Sequence, residues 1–389
     1  MTEIILHVGM HRTGSTSIQS ALRGYDDGKT LWAELGFENH SIPFYTAFSE
    51  LYQSYPLWLS MGLSEKQVTE KRKFFRSEIL RIAKTEGRER IIFSGEDICS
   101  LTKEEFVDML SLFDESANSV SVYFYVRRPL EFIKSDTQHA IKAGAVRNSL
   151  WKPDYGEKFR KIFETLEQDR IHFRLFDPVQ LKHGDVVEDF CQWLGLEKPI
   201  EFDVVENASI STTTAKLLSH INRSNILLFG DPVLNSAHGR LVDVLQSTFP
   251  GKFDLHDELL VGAVDPEDIR WMEDASGISF GLNLDRWRIG MHPRDFASYI
   301  FDVASADVDR LIGLLKERGV DNEYNRDCSK LVTRLFYTCF SEEMSDAGSR
   351  DKFSFDADRY LRLNPDVRKA GVDPYKHYLL HGYREGRRF

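Results

Sequence analysis

The stretch that decides the fold is "HVGMHRTGSTSIQ", residues 7–19, in which Gly9 and Gly14 are separated by four residues and followed by Ser15-Thr16. A common phosphate-binding loop has the pattern G-x-x-x-x-G-K-[ST]. Here the glycine spacing and the final hydroxyl are present, but Ser15 stands in the place of the lysine. The nearest cation is Arg12, before the second glycine. The sequence therefore has the glycine spacing of such a loop, but its positive charge lies before the second glycine and not after it.

The sequence on either side supplies the context that a phosphate loop requires. The apolar run "EIILHVG" predicts a buried strand over about Ile4–Val8. Ile18, Ala21 and Leu22 then recur at helical spacing, which predicts a helix beginning near Ser15 or Thr16. A glycine-rich turn that leads into a helix presents backbone N–H groups and the positive end of the helix dipole to an anion. The loop is therefore predicted to be an anion site, with side-chain donors from Arg12, Thr13, Ser15, Thr16 and Ser17.

Strands and helices alternate through the first half of the chain. Further strands are predicted at "RIIFS" (90–94), "SVSVYFYV" (119–126) and "RIHFRLF" (170–176), with helices between and after them. This order predicts an α/β fold of the P-loop type, with a three-layer parallel sheet that has helices on both faces and a helical C-terminal extension. We divide the chain into a domain at 1–285, a helical extension at 286–345 and a small C-terminal helical module at 350–389, after a polar linker at 341–354.

Composition and charge exclude some classes of protein. The 389 residues carry a formal net charge of -11, whereas a general nucleic-acid binder is usually basic. No apolar stretch approaches the roughly 18 residues of a membrane span, and the N-terminus lacks the basic start of a signal peptide. The four cysteines are scattered, as buried free thiols would be. We expect a cytoplasmic protein that needs no metal.

A second candidate site lies at "VRRPLEFIKSD", where Arg127 ends a predicted strand and Ser135 follows eight residues later in a helix. In an open parallel sheet, ligands bind outside the C-terminal ends of the strands. Arg127 is therefore predicted to face the same crevice as the first loop. An arginine with a serine hydroxyl suits a second phosphate.

Together, "LHVGMHRTGSTSIQ" and "YVRRPLEFIKSDTQHAIKAG" resemble the bacterial sulfotransferases that use 3′-phosphoadenosine-5′-phosphosulfate (PAPS). The resemblance covers roughly residues 1–285. It implies that the first loop, with Arg12, Thr13, Gly14, Ser15, Thr16 and Ser17, binds the 5′-phosphosulfate, and that Arg127 and Ser135 bind the 3′-phosphate. Arg12 stands where these proteins commonly have lysine. In this interpretation Arg12 is also catalytic, because it neutralises the bridging oxygen as it leaves.

Transfer of the sulfuryl group to a hydroxyl or an amine requires a group that accepts the proton of the acceptor. Glu96 follows the strand at 90–94, and we predict it to be this base, although a salt bridge at a strand end is an alternative role for it. His139 is the rival, four residues after Ser135 on the same helix. Asp97 is interpreted as a helix cap and His11 as structural.

The acceptor is less well determined. The C-terminal module resembles one that recurs in bacterial glycosyltransferases of surface polysaccharides, which implies a glycan or glycolipid acceptor. The helix near 65–90 is rich in Lys and Arg, and is either a basic wall for an acidic saccharide or a solvated surface. The alternative functions are a P-loop kinase of small molecules and a non-catalytic protein that binds a nucleotide or a glycan.

Overall fold

A five-stranded parallel sheet forms the centre of the first part of the chain. The computed structural model describes residues 2–114, 119–196, 209–224, 232–287, 293–320, 326–346 and 357–382, together with residues 385 and 387. The strands are β1 (Glu3–His7), β2 (Thr30–Trp32), β3 (Arg90–Ser94), β4 (Ser119–Val126) and β5 (Ile171–Leu175). Their order is β2-β3-β1-β4-β5, and every neighbouring pair is parallel. The predicted α/β fold with a parallel sheet is confirmed.

Helices make up most of the remaining described structure. Those of the first part are α1 (Ser15–Leu22), α2 (Ser41–Phe48), α3 (Pro56–Ser60), α4 (Glu65–Ala83), α5 (Lys103–Asp114), α6 (Pro129–Lys142), α7 (Tyr155–Thr165) and α8 (Val186–Leu194). They are followed by α9 (Thr212–Asn222), α10 (Pro232–Thr248), α11 (Asp257–Leu260), α12 (Pro266–Ser276), α13 (Leu284–Trp287), α14 (Phe296–Phe301), α15 (Ser305–Glu317), α16 (Cys328–Asp346), α17 (Ala357–Leu363), α18 (Pro365–Ala370) and α19 (Pro374–His377). A short 3-10 helix, Glu96–Ser100, directly follows β3.

Helices cover both faces of the sheet. On one face, Ile5 of β1 packs with Ile18 of α1 and Phe190 of α8. On the other face, Phe124 of β4 stacks on Phe159 of α7 with ring centroids 4.6 Å apart. Because both faces are covered, the strand side chains on either side are buried, as is usual for parallel sheets.

The N-terminal elements match the sequence-based expectations within a residue or two. The predicted strand Ile4–Val8 is observed as β1, and the helix expected near Ser15 begins there. The strand β2 was not predicted, because three residues are too short to show a pattern of alternation. In the sequence of β4, valines and Phe124 alternate with serines and tyrosines, yet Ser121 and Tyr125 of the second set are buried as well.

Contacts between residues group the chain into two compact units. The first contains residues 1–132, 152–207 and 264–289, and the second contains 133–151, 208–263 and 290–389. Within the second unit, α16 packs against α9, α10 and α15, and Arg334 of α16 lies over the ring of Tyr375 in α19 at 3.5 Å from its centroid. Of the linker expected at 341–354, residues 341–346 are the end of α16 and the rest lie outside the described residues. No helix among the described residues has the length and apolar character needed to cross a membrane.

Candidate functional site

The loop between β1 and α1 has an unusual backbone. Gly9, Arg12 and Gly14 have φ values of 43°, 70° and 78°, all in the left-handed region. A non-glycine residue rarely adopts this conformation, and successive turns of this kind direct backbone N–H groups into a concave surface that suits an anion. The hydroxyl of Thr13 donates to the carbonyl of Met10 at 2.5 Å and closes the turn. The proton of that hydroxyl is therefore used inside the loop.

The Ser15 side chain begins α1 and faces into this loop. It is 3% exposed, and no described residue forms a hydrogen bond with its Oγ. A Cβ atom added at Gly9 would lie 2.7 Å from this Oγ, so the glycine leaves room for the hydroxyl. Gly14 is the N-cap of α1, and in the described structure no side chain caps this end of the helix. The first turn of α1 contains no acidic residue. A buried hydroxyl without a partner is costly in a folded protein unless it serves a ligand.

Arg127 reaches the first loop, as the sequence predicted. Its Nη1 donates to the carbonyl oxygen of Arg12 at 2.7 Å, and its guanidinium lies 5.4 Å from the ring centroid of Phe176. Burial lowers the pKa of Arg127, and the nearby charge of Arg12 lowers it further, while Glu131 opposes them. The two partly buried arginines repel each other, and a bound anion beside them would relieve that repulsion.

Arg128, the next residue along the chain, points elsewhere. It forms an ion pair with Asp177 at 2.7 Å and donates to the carbonyl of Phe280 at 3.2 Å. The two neighbouring arginines therefore have separate roles.

Glu96 lies against the loop, at the start of the 3-10 helix after β3. Its side chain is buried, and its Cγ is 3.3 Å from the position that a Cβ on Gly9 would take. Gln19 Nε2 and Ser41 Oγ lie 3.4 and 3.3 Å from Glu96 Oε2 as hydrogen-bond donors. Among the described residues no Lys, Arg or His forms an ion pair with Glu96, so the alternative of a strand-end salt bridge finds no support there.

A buried polar network beneath Glu96 fixes the end of β3. His7 Nδ1 is 2.8 Å from Ser94 Oγ, and the Ser94 amide donates to His40 Nδ1 at 3.0 Å. Burial lowers the pKa of His7 to about 3 and that of His40 to about 4. Both imidazoles are therefore neutral at physiological pH, and each forms a buried hydrogen bond with Ser94.

These two histidines should make the protein sensitive to mild acid. The unfolded chain binds their protons below about pH 6.5, whereas the folded chain does so only near their lowered pKa values, so unfolding becomes easier as the pH falls from about 6.5 to 4. His40→Asn, whose carbonyl oxygen can accept from the Ser94 amide, should reduce the pH slope of the free energy of unfolding by about 1.4 kcal/mol per pH unit in that window. Denaturant titrations followed by tryptophan fluorescence at several pH values measure this slope. Equal slopes in the two proteins would contradict the neutral-histidine interpretation.

His11 and Asp97 form an ion pair next to the loop. His11 Nε2 is 3.2 Å from Asp97 Oδ1, and the Tyr55 hydroxyl donates to Asp97 Oδ2 at 2.8 Å. Burial acts to lower the pKa of His11 and Lys158 adds to that effect, but the hydrogen bond and charge of Asp97, with the charge of Glu96, outweigh them and raise it. Burial acts to raise the pKa of Asp97, but the bonds from His11 and Tyr55 lower it overall.

The structure corrects the interpretation of Asp97 as a helix cap. Gly95 is the N-cap of the 3-10 helix, and no side-chain cap is formed there in the described structure. Asp97 instead holds His11 and Tyr55. No local pattern in the sequence indicates this pair, because its members are 86 positions apart and meet only where β1 and β3 lie side by side.

The other predicted site residues are distributed as follows. Thr16 is exposed and Ser17 is partly exposed in the first turn of α1. Ser135 and His139 lie on α6, in the part of that helix that belongs to the second unit, so their roles stay predictions from sequence. On α4, the basic residues are largely engaged, because Lys73, Arg76 and Arg81 pair with Glu70, Asp108 and Glu78. This engagement favours a structural surface over a basic wall.

Within the described residues no group of three or more His, Cys, Asp or Glu side chains converges as metal ligands do. Comparisons of the whole chain with protein-family models, with curated proteins and with solved structures found no match. The function therefore has to be argued from the residues of the site.

Proposed function

We propose that the chain is a PAPS-dependent sulfotransferase that belongs to the P-loop type of α/β folds. The observation that carries this proposal is the buried, unpartnered hydroxyl of Ser15 inside a loop of three left-handed residues, with Arg127 bonded to the same loop. The hydroxyl, the helix N-terminus and Arg12 are complementary to a 5′-phosphosulfate, and Arg127 beside them is complementary to a second phosphate on the same nucleotide.

The strand order supports a nucleotide site at this position. β1 has β3 on one side and β4 on the other, so the chain connections diverge at the end of β1. In open parallel sheets, ligands bind outside the strand ends at such a switch point. The loop follows β1, Glu96 follows β3 and Arg127 follows β4, so all three candidate groups belong to this edge of the sheet.

The residues present suit sulfuryl transfer in the following way. The oxygen of the acceptor hydroxyl bonds to sulfur while the bond from sulfur to the bridging oxygen breaks, and adenosine 3′,5′-bisphosphate leaves. Glu96 receives the proton of the acceptor, because it is a buried carboxylate beside the loop that accepts hydrogen bonds from neutral donors only. Arg12 balances the charge that develops on the bridging oxygen. In this proposal Arg127 and Ser135 hold the 3′-phosphate, with Ser135 assigned from sequence spacing.

A small-molecule kinase is the alternative enzyme, and it is less well supported because Ser15 occupies the position of the phosphate-binding lysine. A non-catalytic nucleotide-binding or glycan-binding protein would retain the loop without needing a base. A thermal-shift panel with adenosine 3′,5′-bisphosphate, ATP with magnesium, and no ligand separates the kinase from a sulfotransferase, and turnover of labelled PAPS separates the sulfotransferase from a non-catalytic binding protein. The proposal predicts the largest stabilisation with the bisphosphate. Stabilisation by ATP with magnesium alone would favour the kinase.

The Ser15 hydroxyl gives a prediction in which stability and binding change in opposite directions. Ser15→Ala removes a buried polar atom without a described partner, so the free energy of unfolding should stay the same or rise. Affinity for adenosine 3′,5′-bisphosphate should fall by about three- to tenfold, the usual contribution of one neutral hydrogen bond. Calorimetric titration and denaturant unfolding of the variant measure the two quantities.

The matched control is Thr13→Val, which removes a hydroxyl that the structure uses internally. This variant should lose about 1 kcal/mol of stability. If Ser15→Ala loses as much stability as Thr13→Val and binds the bisphosphate normally, the Ser15 hydroxyl has a structural partner and the ligand interpretation fails.

A further inference from the structure

A pocket of about 720 Å³ opens beside the His11–Asp97 pair, and its lining shares only Asp97 with that pair. Its walls come from α2, from the start of α3 and from the 3-10 helix after β3. This volume lies within the usual range for small-molecule sites. Asp97, which holds His11 of the loop, is one of its lining residues, so the pocket is continuous with the candidate site.

Two tyrosines dominate one wall of the pocket. The rings of Tyr45 and Tyr55 lie 5.2 Å apart, and Ile42 and Leu57 extend the apolar surface beside them. Both tyrosines are partly exposed and so present ring surface to the pocket. The two ring planes are tilted by 41° to each other, so a ligand ring with an apolar face can pack on one tyrosine and border the other.

The rest of the lining is polar but not basic. Asn39, Ser100 and Asp97 supply hydrogen-bonding groups around the rings. Of the described residues that line the pocket, none is Lys or Arg. His11 is already paired with Asp97 and no Lys or Arg is among the lining residues, so a carboxylate on the ligand would face the Asp97 oxygens without a cation of its own, whereas several ligand hydroxyls would find partners.

We propose that this pocket is the acceptor site and that its ligand is a neutral sugar ring, which packs its apolar face on one of Tyr45 and Tyr55, borders the other, and places its hydroxyls near Asp97. The aromatic wall together with the three polar side chains suits a ring with many hydroxyls better than a simple phenol. The lack of a cation in the lining argues against an acidic saccharide. The inference rests on the proposed function only in naming the bound sugar as the acceptor.

The test is direct binding to the full chain, without nucleotide, measured by saturation-transfer NMR titration. The probes are the methyl pyranosides of glucose, galactose, mannose and N-acetylglucosamine, the methyl glycosides of glucuronate and galacturonate, and p-cresol as the phenol. At least one neutral pyranoside should bind, and the uronates should bind about threefold or more weakly because of Asp97. Tyr45→Ala should weaken binding of the neutral sugar by about tenfold. Ser100→Lys, at an exposed edge of the pocket, should improve binding of the uronates.

Several outcomes would overturn the inference: no neutral pyranoside binds, the uronates bind as tightly as the neutral sugars, p-cresol binds more tightly than every glycoside, or Tyr45→Ala binds normally. Adenosine 3′,5′-bisphosphate binding, measured separately on the same sample, distinguishes the two proposals. If the protein binds the sugar but not the bisphosphate, the pocket is a sugar site and the sulfotransferase assignment is wrong. If the protein binds the bisphosphate but none of the neutral sugars, only the proposed role of the pocket is wrong.

Discussion

Glu96→Gln is expected to lower turnover by about a hundredfold or more and to leave nucleotide affinity almost unchanged. The amide cannot accept a proton from the acceptor, but its carbonyl oxygen can still accept the hydrogen bonds of Gln19 and Ser41. The fold around Gly9 should therefore be preserved. Steady-state kinetics with labelled PAPS, together with calorimetric titration of adenosine 3′,5′-bisphosphate, measure the two effects.

Glu105→Gln is the matched control for this variant. Glu105 is also buried, but it accepts hydrogen bonds from the backbone of Glu50 and Thr102, away from the loop. Glu105→Gln should lower the free energy of unfolding and leave the turnover rate close to that of the wild type. If Glu96→Gln has normal turnover and His139→Ala loses almost all turnover, the base is His139 and the assignment of Glu96 is wrong.

Arg127→Ala should lose most of the preference for a nucleotide that carries a 3′-phosphate. A charge-assisted hydrogen bond to phosphate contributes about 1.5–3 kcal/mol, which corresponds to roughly ten- to more than a hundredfold in affinity. Ser135→Ala should lose a smaller part, because its hydroxyl is neutral. Calorimetric titrations with adenosine 3′,5′-bisphosphate and with AMP give the preference of each variant as a ratio of dissociation constants.

Arg128→Ala controls for the loss of an arginine at the same strand end. Arg128 is engaged with Asp177 and Phe280, so its removal should affect stability and leave the nucleotide preference intact. Arg127 also donates a hydrogen bond to the carbonyl of Arg12, so Arg127→Ala should loosen the loop and lower the affinity for AMP to a small extent. Equal losses for AMP and the bisphosphate would mean that Arg127 only supports the loop.

The core of the fold could be predicted because its strands are short apolar runs with clear ends. Within two residues of their ends, β1, β3, β4 and β5 are each followed by a polar residue or a glycine, and these signals are local. The three-residue β2 has too little sequence to show a period, so only its pairing with β3 reveals it.

The placement of Glu96 and Arg127 at one edge of the sheet could also be expected, since parallel strands end on the same side. The sequence placed Arg127 at the loop from its position at the strand end, but it did not show the contacts that separate the adjacent arginines, since Arg127 lies over the ring of Phe176 and Arg128 pairs with Asp177. It also missed the partnership of His11 with Asp97, which depends on strand order and not on spacing. The roles of Arg127 and Glu96 in binding and catalysis stay predictions.

The most direct test of the central claim is a calorimetric titration of the wild-type chain with adenosine 3′,5′-bisphosphate and with AMP. The two ligands differ only in the 3′-phosphate, which the sulfotransferase proposal assigns to Arg127 and Ser135. The proposal predicts that the bisphosphate binds at least about tenfold more tightly than AMP. Equal affinities for the two nucleotides would contradict the PAPS assignment, however well the first loop accommodates an anion.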